Sequence, residues 1–152
     1  MKQLRLIMAQ VAIALVLLAV VIGFVLPWTP EDPATAIGPV EGAIGGLVLA
    51  AIGIGGARWN RDRPYACVPA DELRGAFTSR MFFGIAISDL PALLSFVAAF
   101  VYEEGWLYLV GLAISLVGLA LSAPSQANIE RVDAKLRADG CPHTLAAALT
   151  DP

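Results

Sequence analysis

Four long apolar runs constrain what this chain can fold into. They cover about residues 4–26, 37–57, 78–102 and 106–123, and few polar residues interrupt them. A helix needs roughly 20 mainly apolar residues to cross the hydrocarbon layer of a bilayer, and each run is close to that length. The sequence therefore predicts an all-α integral membrane protein whose transmembrane domain, residues 1–123, is a bundle of four helices.

The composition supports this prediction. Of the 152 residues, 58% are hydrophobic and only 15% are charged, whereas soluble domains are about half apolar and about a quarter charged. The first run could also be a signal peptide, but it exceeds the usual h-region of about 7 to 15 residues and no A-x-A site lies at its end, directly before Pro27. We expect it to be an uncleaved span, and we expect no second domain beyond a tail of residues 124–152.

The positions of the basic residues predict the orientation. All ten Lys and Arg residues lie in the first five residues, in the 58–80 loop or in the tail. The other two loops carry only acidic charge, at Glu31, Asp32, Glu103 and Glu104. The positive-inside rule then places both termini and the central loop in the cytoplasm, as in a multi-pass protein of the cell membrane.

The same orientation places both cysteines, Cys67 and Cys141, in the cytoplasm, where thiols normally stay reduced. We therefore expect no disulfide. In the tail, Ile129, Val132 and Leu136 have helical spacing and predict a short amphipathic helix. We expect residues 144–152 to be frayed or docked on a partner.

Two of the predicted spans carry small residues on one face. Without large side chains, such faces let another helix approach closely. Together they offer more packing surface than one four-helix unit needs, which favours neighbouring subunits. The predicted helix-packing residues are Gly42, Gly46, Gly111, Ser115, Gly118 and Ser122.

One acidic residue, Asp89, falls near the middle of the third span. At that depth a carboxylate costs roughly 2.5 to 3.5 kcal/mol on insertion scales unless it is protonated or paired. Asp89 is therefore a candidate proton-binding group. The alternative is a neutral structural tether that hydrogen-bonds Ser88, Ser115 or a neighbouring subunit. Pro91 should kink the helix close to this site.

The segment from Ser79 to Asp89, with the sequence SRMFFGIAISD, resembles the second helix of the proteolipid (c) subunit of rotary ATP synthases. That family has an M-F-x-G-I-A-x-x-[ED] stretch that ends in the ion-carrying carboxylate, which matches Asp89 here. Its hairpin turns in the cytoplasm after a glycine-rich helix, similar to residues 37–102 of this chain. The resemblance implies a proton-translocating subunit. The central loop is several residues longer than in the family, so we expect a proteolipid-like hairpin at most.

In size, four-span layout and composition the chain also looks like the small associated factors of the actinobacterial cytochrome bc-aa3 supercomplex. This likeness implies a non-enzymatic accessory subunit of a respiratory-chain, electron-transport complex, with oxidase or cytochrome subunits as partners. The sequence has no phosphate loop and no nucleophile with its base, and Cys141 and His143 alone fall short of a metal site. We expect no catalytic residue, metal, cofactor or nucleic acid.

The basic central loop offers a further candidate site. Its arginines Arg58, Arg61 and Arg63 could bind the headgroups of phospholipids, each contributing on the order of 1 kcal/mol near an anionic surface. The alternative is that they only fix the orientation. Aromatic residues near the predicted interfaces, Trp28 and Tyr108 among them, are typical of a membrane belt.

Overall fold

The computed structural model describes residues 2–27 and 37–150, and every regular element within them is a helix. The prediction at Trp28 lies outside these residues. The elements are α1 (Lys2–Val25), α2 (Pro39–Ala50), a π-helical segment (Ala51–Gly55), α3 (Gly56–Asp62), α4 (Ala70–Val101), α5 (Trp106–Ser122), α6 (Gln126–Ala138) and α7 (Leu145–Thr150).

Three helical stretches are long and apolar enough to cross a membrane, namely Leu4–Val25, Val40–Asp62 and Ala70–Val101. The helix α5 has 17 residues, and it supplies a fourth candidate span when it is counted together with α6, from which it is bent by 51°. The prediction of an all-helical chain with several apolar helices of membrane-spanning length is confirmed, and the count of four spans stays a prediction.

The second span is longer than its apolar run. The elements α2, π segment and α3 follow one another without a break to Asp62, five residues beyond the predicted end at 57. The helix stops there because Arg63 precedes a proline and has an extended backbone, with φ −60° and ψ 137°. Residues before proline are biased away from the α region.

The main core lies between α1, α4 and α5, and the pairing of α4 with α5 is the most extensive in the chain. The helix α1 packs onto α5, where its inward-facing Met8, Leu15 and Ile22 join the core. Most of its other apolar side chains are exposed.

A second, smaller core forms beyond the end of the bundle. Leu73 and Phe77 on the first turns of α4 pack against α6 and α7, in a cluster that also holds Ile129, Val132, Leu136, Leu145 and Ala148. The amphipathic helix therefore folds back onto its own chain. Within residues 144–152, which we expected to be frayed or docked on a partner, Leu145–Thr150 form α7 on this surface instead.

The structure joins Cys67 to Cys141 in a disulfide, with their Cα atoms 5.6 Å apart. The prediction of no disulfide is therefore wrong. It rested on the cellular compartment alone and treated the tail as separate from the loop. The turn after α6, in which Gly140 has φ +74°, returns the chain to the segment before α4 and brings the two cysteines together.

Candidate functional site

The middle of the bundle is a junction where α4, α5 and the π segment meet around Pro91. A Cβ atom added to Gly53 would lie 2.6 Å from the Pro91 ring and 3.1 Å from Ile114. A Cβ on Gly118 would come within 3.2 Å of the Gly53 carbonyl oxygen. Only glycine allows these backbones to approach so closely, so the glycines fix the geometry beside Asp89.

The small residues of α5 are used inside this chain. Gly111, Ser115 and Gly118 are buried, and a Cβ on Gly111 would overlap the Ser95 side chain of α4. The Ser115 hydroxyl accepts a hydrogen bond of 2.9 Å from the backbone N–H of Ala92. These three positions are covered by α4 and leave no room for a partner helix.

Asp89 lies two residues before Pro91 on α4 and is half-buried. Its Oδ1 atom is buried and has no hydrogen-bond partner within the described residues. Neither serine proposed as a tether bonds it: the Ser88 hydroxyl donates to the Gly84 carbonyl at 2.7 Å, and the Ser115 hydroxyl, which accepts from Ala92, is not a partner of Oδ1. Of the tethers predicted for Asp89, only a neighbouring subunit stays open.

The partly exposed Asp89 side chain belongs to an apolar surface of α4. Phe82 lies seven residues before Asp89, Leu93 lies four residues after it and Phe100 lies seven residues after Leu93, and these helical spacings place all four on one face. Their exposed fractions are 47%, 52% and 45%. We call these four residues the Asp89 face. It is a carboxyl group set in a surface that is otherwise apolar.

Tyr108 on α5 connects the helices near this site. It is fully buried, and its hydroxyl donates a 2.9 Å hydrogen bond to the Leu15 carbonyl of α1. Its ring also contacts Phe96 edge to face, with centroids 6.3 Å apart. The prediction of a membrane-belt role for Tyr108 is wrong, because the side chain is buried between helices. An aromatic ring with a polar hydroxyl suits an interhelical contact as well as a membrane interface.

Arg80 organises the end of the bundle that carries the basic loop. Its guanidinium donates to the carbonyls of Arg63, at 2.9 Å, and Pro64, at 2.6 Å, and it stacks 3.9 Å above the Tyr65 ring. Burial raises the pKa of the Tyr65 hydroxyl, and the nearby Arg80 charge partly opposes this shift. The phenol therefore stays neutral near pH 7. The amide of Asn60 adds a 2.8 Å bond to the Arg80 carbonyl.

The three predicted headgroup residues do not form one site. Arg58 is exposed, and the Arg63 guanidinium stacks 4.1 Å from the centre of the Trp59 ring. The Arg61 Nε atom lies 3.5 Å from Asp62. Of the three, only Arg61 lines the polar cavity of about 50 Å³ at this end.

That cavity lies where α3, α4, α5 and α6 converge. Besides Arg61 it is lined by Arg80, Arg131 and Asn128. Ser122, the last of the predicted packing residues, also lines it, and its hydroxyl has no hydrogen-bond partner within the described residues. A space of this size holds water rather than a lipid headgroup.

The opposite end of the bundle is held together by Glu104, which is 1% exposed. Its Oε1 accepts the backbone N–H of Ile37 at 3.1 Å and its Oε2 accepts the Trp106 indole N–H at 2.6 Å. Below this turn, Gly42 and Gly46 line an open groove of about 980 Å³ between α2 and the α4–α5 pair. These two glycines therefore do not contact a helix in the way that the α5 glycines do.

Within the described residues no three His, Cys, Asp or Glu side chains are grouped to hold a metal ion. Comparison with models of known protein families, with curated proteins and with solved structures finds no match to this chain.

Proposed function

We propose that this protein is a four-span protein of the cell membrane with both termini in the cytoplasm. The apolar lengths of three helical stretches support this, together with α5 as a shorter fourth. The lateral surface of the bundle is apolar, as at Leu17, Phe24 and Val97, which are all more than half exposed. The arginines are confined to the opposite end from Glu103 and Glu104, as the positive-inside rule requires.

Within the membrane we propose a non-enzymatic accessory subunit of a respiratory-chain complex of the cytochrome bc-aa3 type. The observation that carries this proposal is the Asp89 face. Ionisable residues within spans almost always face other protein or a water-filled cavity. Asp89 instead lies partly exposed at an apolar surface, and its buried Oδ1 has no donor within the described residues, so a helix of a second subunit would cover the face and bond the exposed part of the carboxyl group.

A second candidate function is a proteolipid-like proton carrier that works through Asp89. The same unpartnered oxygen favours it, because a carboxyl group without a fixed donor is free to bind and release a proton. The chain supplies no obvious relay, since its other carboxyl and basic groups within the described residues lie toward the ends of the helices or in the loops and tail. We therefore place the accessory subunit first.

The substitution Asp89→Asn separates the two functions, because the amide keeps size and polarity but cannot titrate. In an accessory subunit the amide still bonds across the interface, so we expect assembly and proton-coupled activity of the parent complex to stay within about twofold of wild type. Asp62→Asn, the same change at an exposed carboxylate, is the matched control. Loss of proton coupling in a correctly assembled Asp89→Asn complex would favour the proton carrier.

A further inference from the structure

The groove between α2 and the α4–α5 pair lies between two points of contact. At one end Gly53 meets Pro91 and Ile114, and at the other the Ile37 N–H donates to the Glu104 carboxylate. One wall is the glycine-rich side of α2, where a Cβ on Gly45 or Gly46 would meet nothing within 4 Å. The other wall is apolar, with Leu94, Ala98, Val101, Leu107 and Val110.

The depth of the groove matches one leaflet of a bilayer. The 12 residues of α2 rise about 18 Å, and half of a hydrocarbon layer is about 15 Å. A transmembrane helix of a partner needs a channel through both leaflets, which the contact between Gly53 and Pro91 blocks. The hydrocarbon chain of a lipid needs only the depth of one leaflet, which the groove provides. The groove volume of about 980 Å³ is at the upper end of the range for small-molecule sites.

The mouth of the groove determines which headgroup suits it. Its polar lining includes the exposed carboxylate Glu41, with Tyr102 and Trp106 beside it. No Lys, Arg or His is among the described residues that line the groove. An anionic phosphate would face a carboxylate without a compensating cation, whereas an ammonium group would be attracted to it.

We propose that this groove binds the hydrocarbon chains of an aminophospholipid such as phosphatidylethanolamine, with its ammonium group at Glu41. The inference rests on the proposed membrane location, but it does not depend on the accessory role or on the Asp89 face. The glycine wall lets the chains pack against the backbone of α2, while Tyr102 and Trp106 border the headgroup region.

The test is native mass spectrometry of the full chain, released from nanodiscs that hold equal amounts of phosphatidylethanolamine, phosphatidylglycerol and phosphatidylcholine with the same acyl chains. We expect one phosphatidylethanolamine to be retained in preference to the others. Glu41→Gln should lower its preference over phosphatidylglycerol about fivefold, the effect of one surface charge. Gly46→Leu places a side chain in the groove at a position whose Cβ meets nothing within 4 Å, and it should lower total lipid retention at least fivefold.

Gly55→Leu is the matched control, because Gly55 also has open space at its Cβ, follows α2 without a break and does not line the groove. Equal retention of the three lipids by the wild type, or unchanged retention in Gly46→Leu, would overturn the inference. In a separate copurification from native membranes, release of a partner protein by Gly46→Leu, with lipid retention by the isolated chain unchanged, would overturn it too and assign the groove to a partner. Because the assay uses the isolated chain, its failure is distinct from failure of the accessory role.

Discussion

At the scale of single residues, glycine performs two different tasks in this protein. Gly118 packs so closely on α4 that an added Cβ would lie only 2.8 Å from the Ser88 hydroxyl oxygen. Gly46 faces open space in the groove. The four-residue spacing of small side chains looks alike in both helices, so the sequence predicts close packing for each and cannot tell which face the fold covers.

Gly118→Leu should therefore destabilise the chain itself. The larger side chain would push α5 away from Ser88 and the Gly53 carbonyl, and overpacking of this kind costs typically 1–3 kcal/mol. We expect a lower thermal unfolding midpoint for the isolated protein in detergent, measured by circular dichroism. Gly75→Leu, at an open and exposed position of α4, is the control. An unchanged midpoint for Gly118→Leu would mean that α4 and α5 are not in contact at this position.

Asp89 shows what the sequence could and could not give at this scale. Its depth in the third run marks it as unusual, and the spacing of Phe82, Leu93 and Phe100 around it was available as a signal for a shared face. The sequence could not show that Asp89 makes no hydrogen bond to Ser88 or Ser115, because this depends on which carbonyl and N–H groups those hydroxyls reach. Local helical geometry determines the bond from Ser88 to the Gly84 carbonyl. Tertiary contact between α4 and α5 determines the bond from the Ala92 N–H to Ser115.

At the scale of elements, the apolar runs predicted the spans well because bilayer thickness fixes their length. Their ends were less accurate. The third run was predicted from about residue 78, but its helix begins at Ala70 with Pro69 as its cap, and the second span continues to Asp62. The tail could not be placed from sequence, because α7 depends on Asp133, whose carboxylate accepts the N–H of Leu145 at 2.6 Å.

The disulfide should hold the tail elements in place. Cys67 and Cys141 are 74 residues apart, and a loop of that size corresponds to about 4 kcal/mol in the chain-entropy model. In the double variant Cys67→Ser with Cys141→Ser, amides of α6 and α7 should exchange hydrogen faster, while those of α4 near Pro91 should not change. Exchange that is equally slow in α7 would show that packing around Leu136 and Leu145 suffices without the bond.

At the scale of the whole molecule, the arginines and the disulfide lie at the same end. Arginines indicate the cytoplasmic side, whereas lasting disulfides are typical of oxidising compartments, and cytosolic ones are usually redox-active. The orientation with both termini inside therefore implies a reducible disulfide. The sequence could not show that the disulfide and the arginines indicate different compartments, because the two cysteines are brought together only by the folded tail.

Labelling decides the orientation. In a background with Cys67→Ser and Cys141→Ser, an impermeant thiol reagent added to intact cells should modify the variant Glu103→Cys and leave Asp139→Cys unmodified. Both positions are exposed, so accessibility to solvent does not differ between them, and lysed cells should show both variants modified. Modification of Asp139→Cys in intact cells would reverse the orientation and place the disulfide outside.

The central claim is that a second subunit covers the Asp89 face, and photo-crosslinking in the native membrane tests it most directly. A photoreactive phenylalanine derivative at Leu93, within the face, should form an adduct with a respiratory-complex subunit that mass spectrometry identifies. The same group at Leu17, which is 59% exposed on α1, is the control and should give lipid adducts only. Lipid adducts alone at both positions would contradict the account.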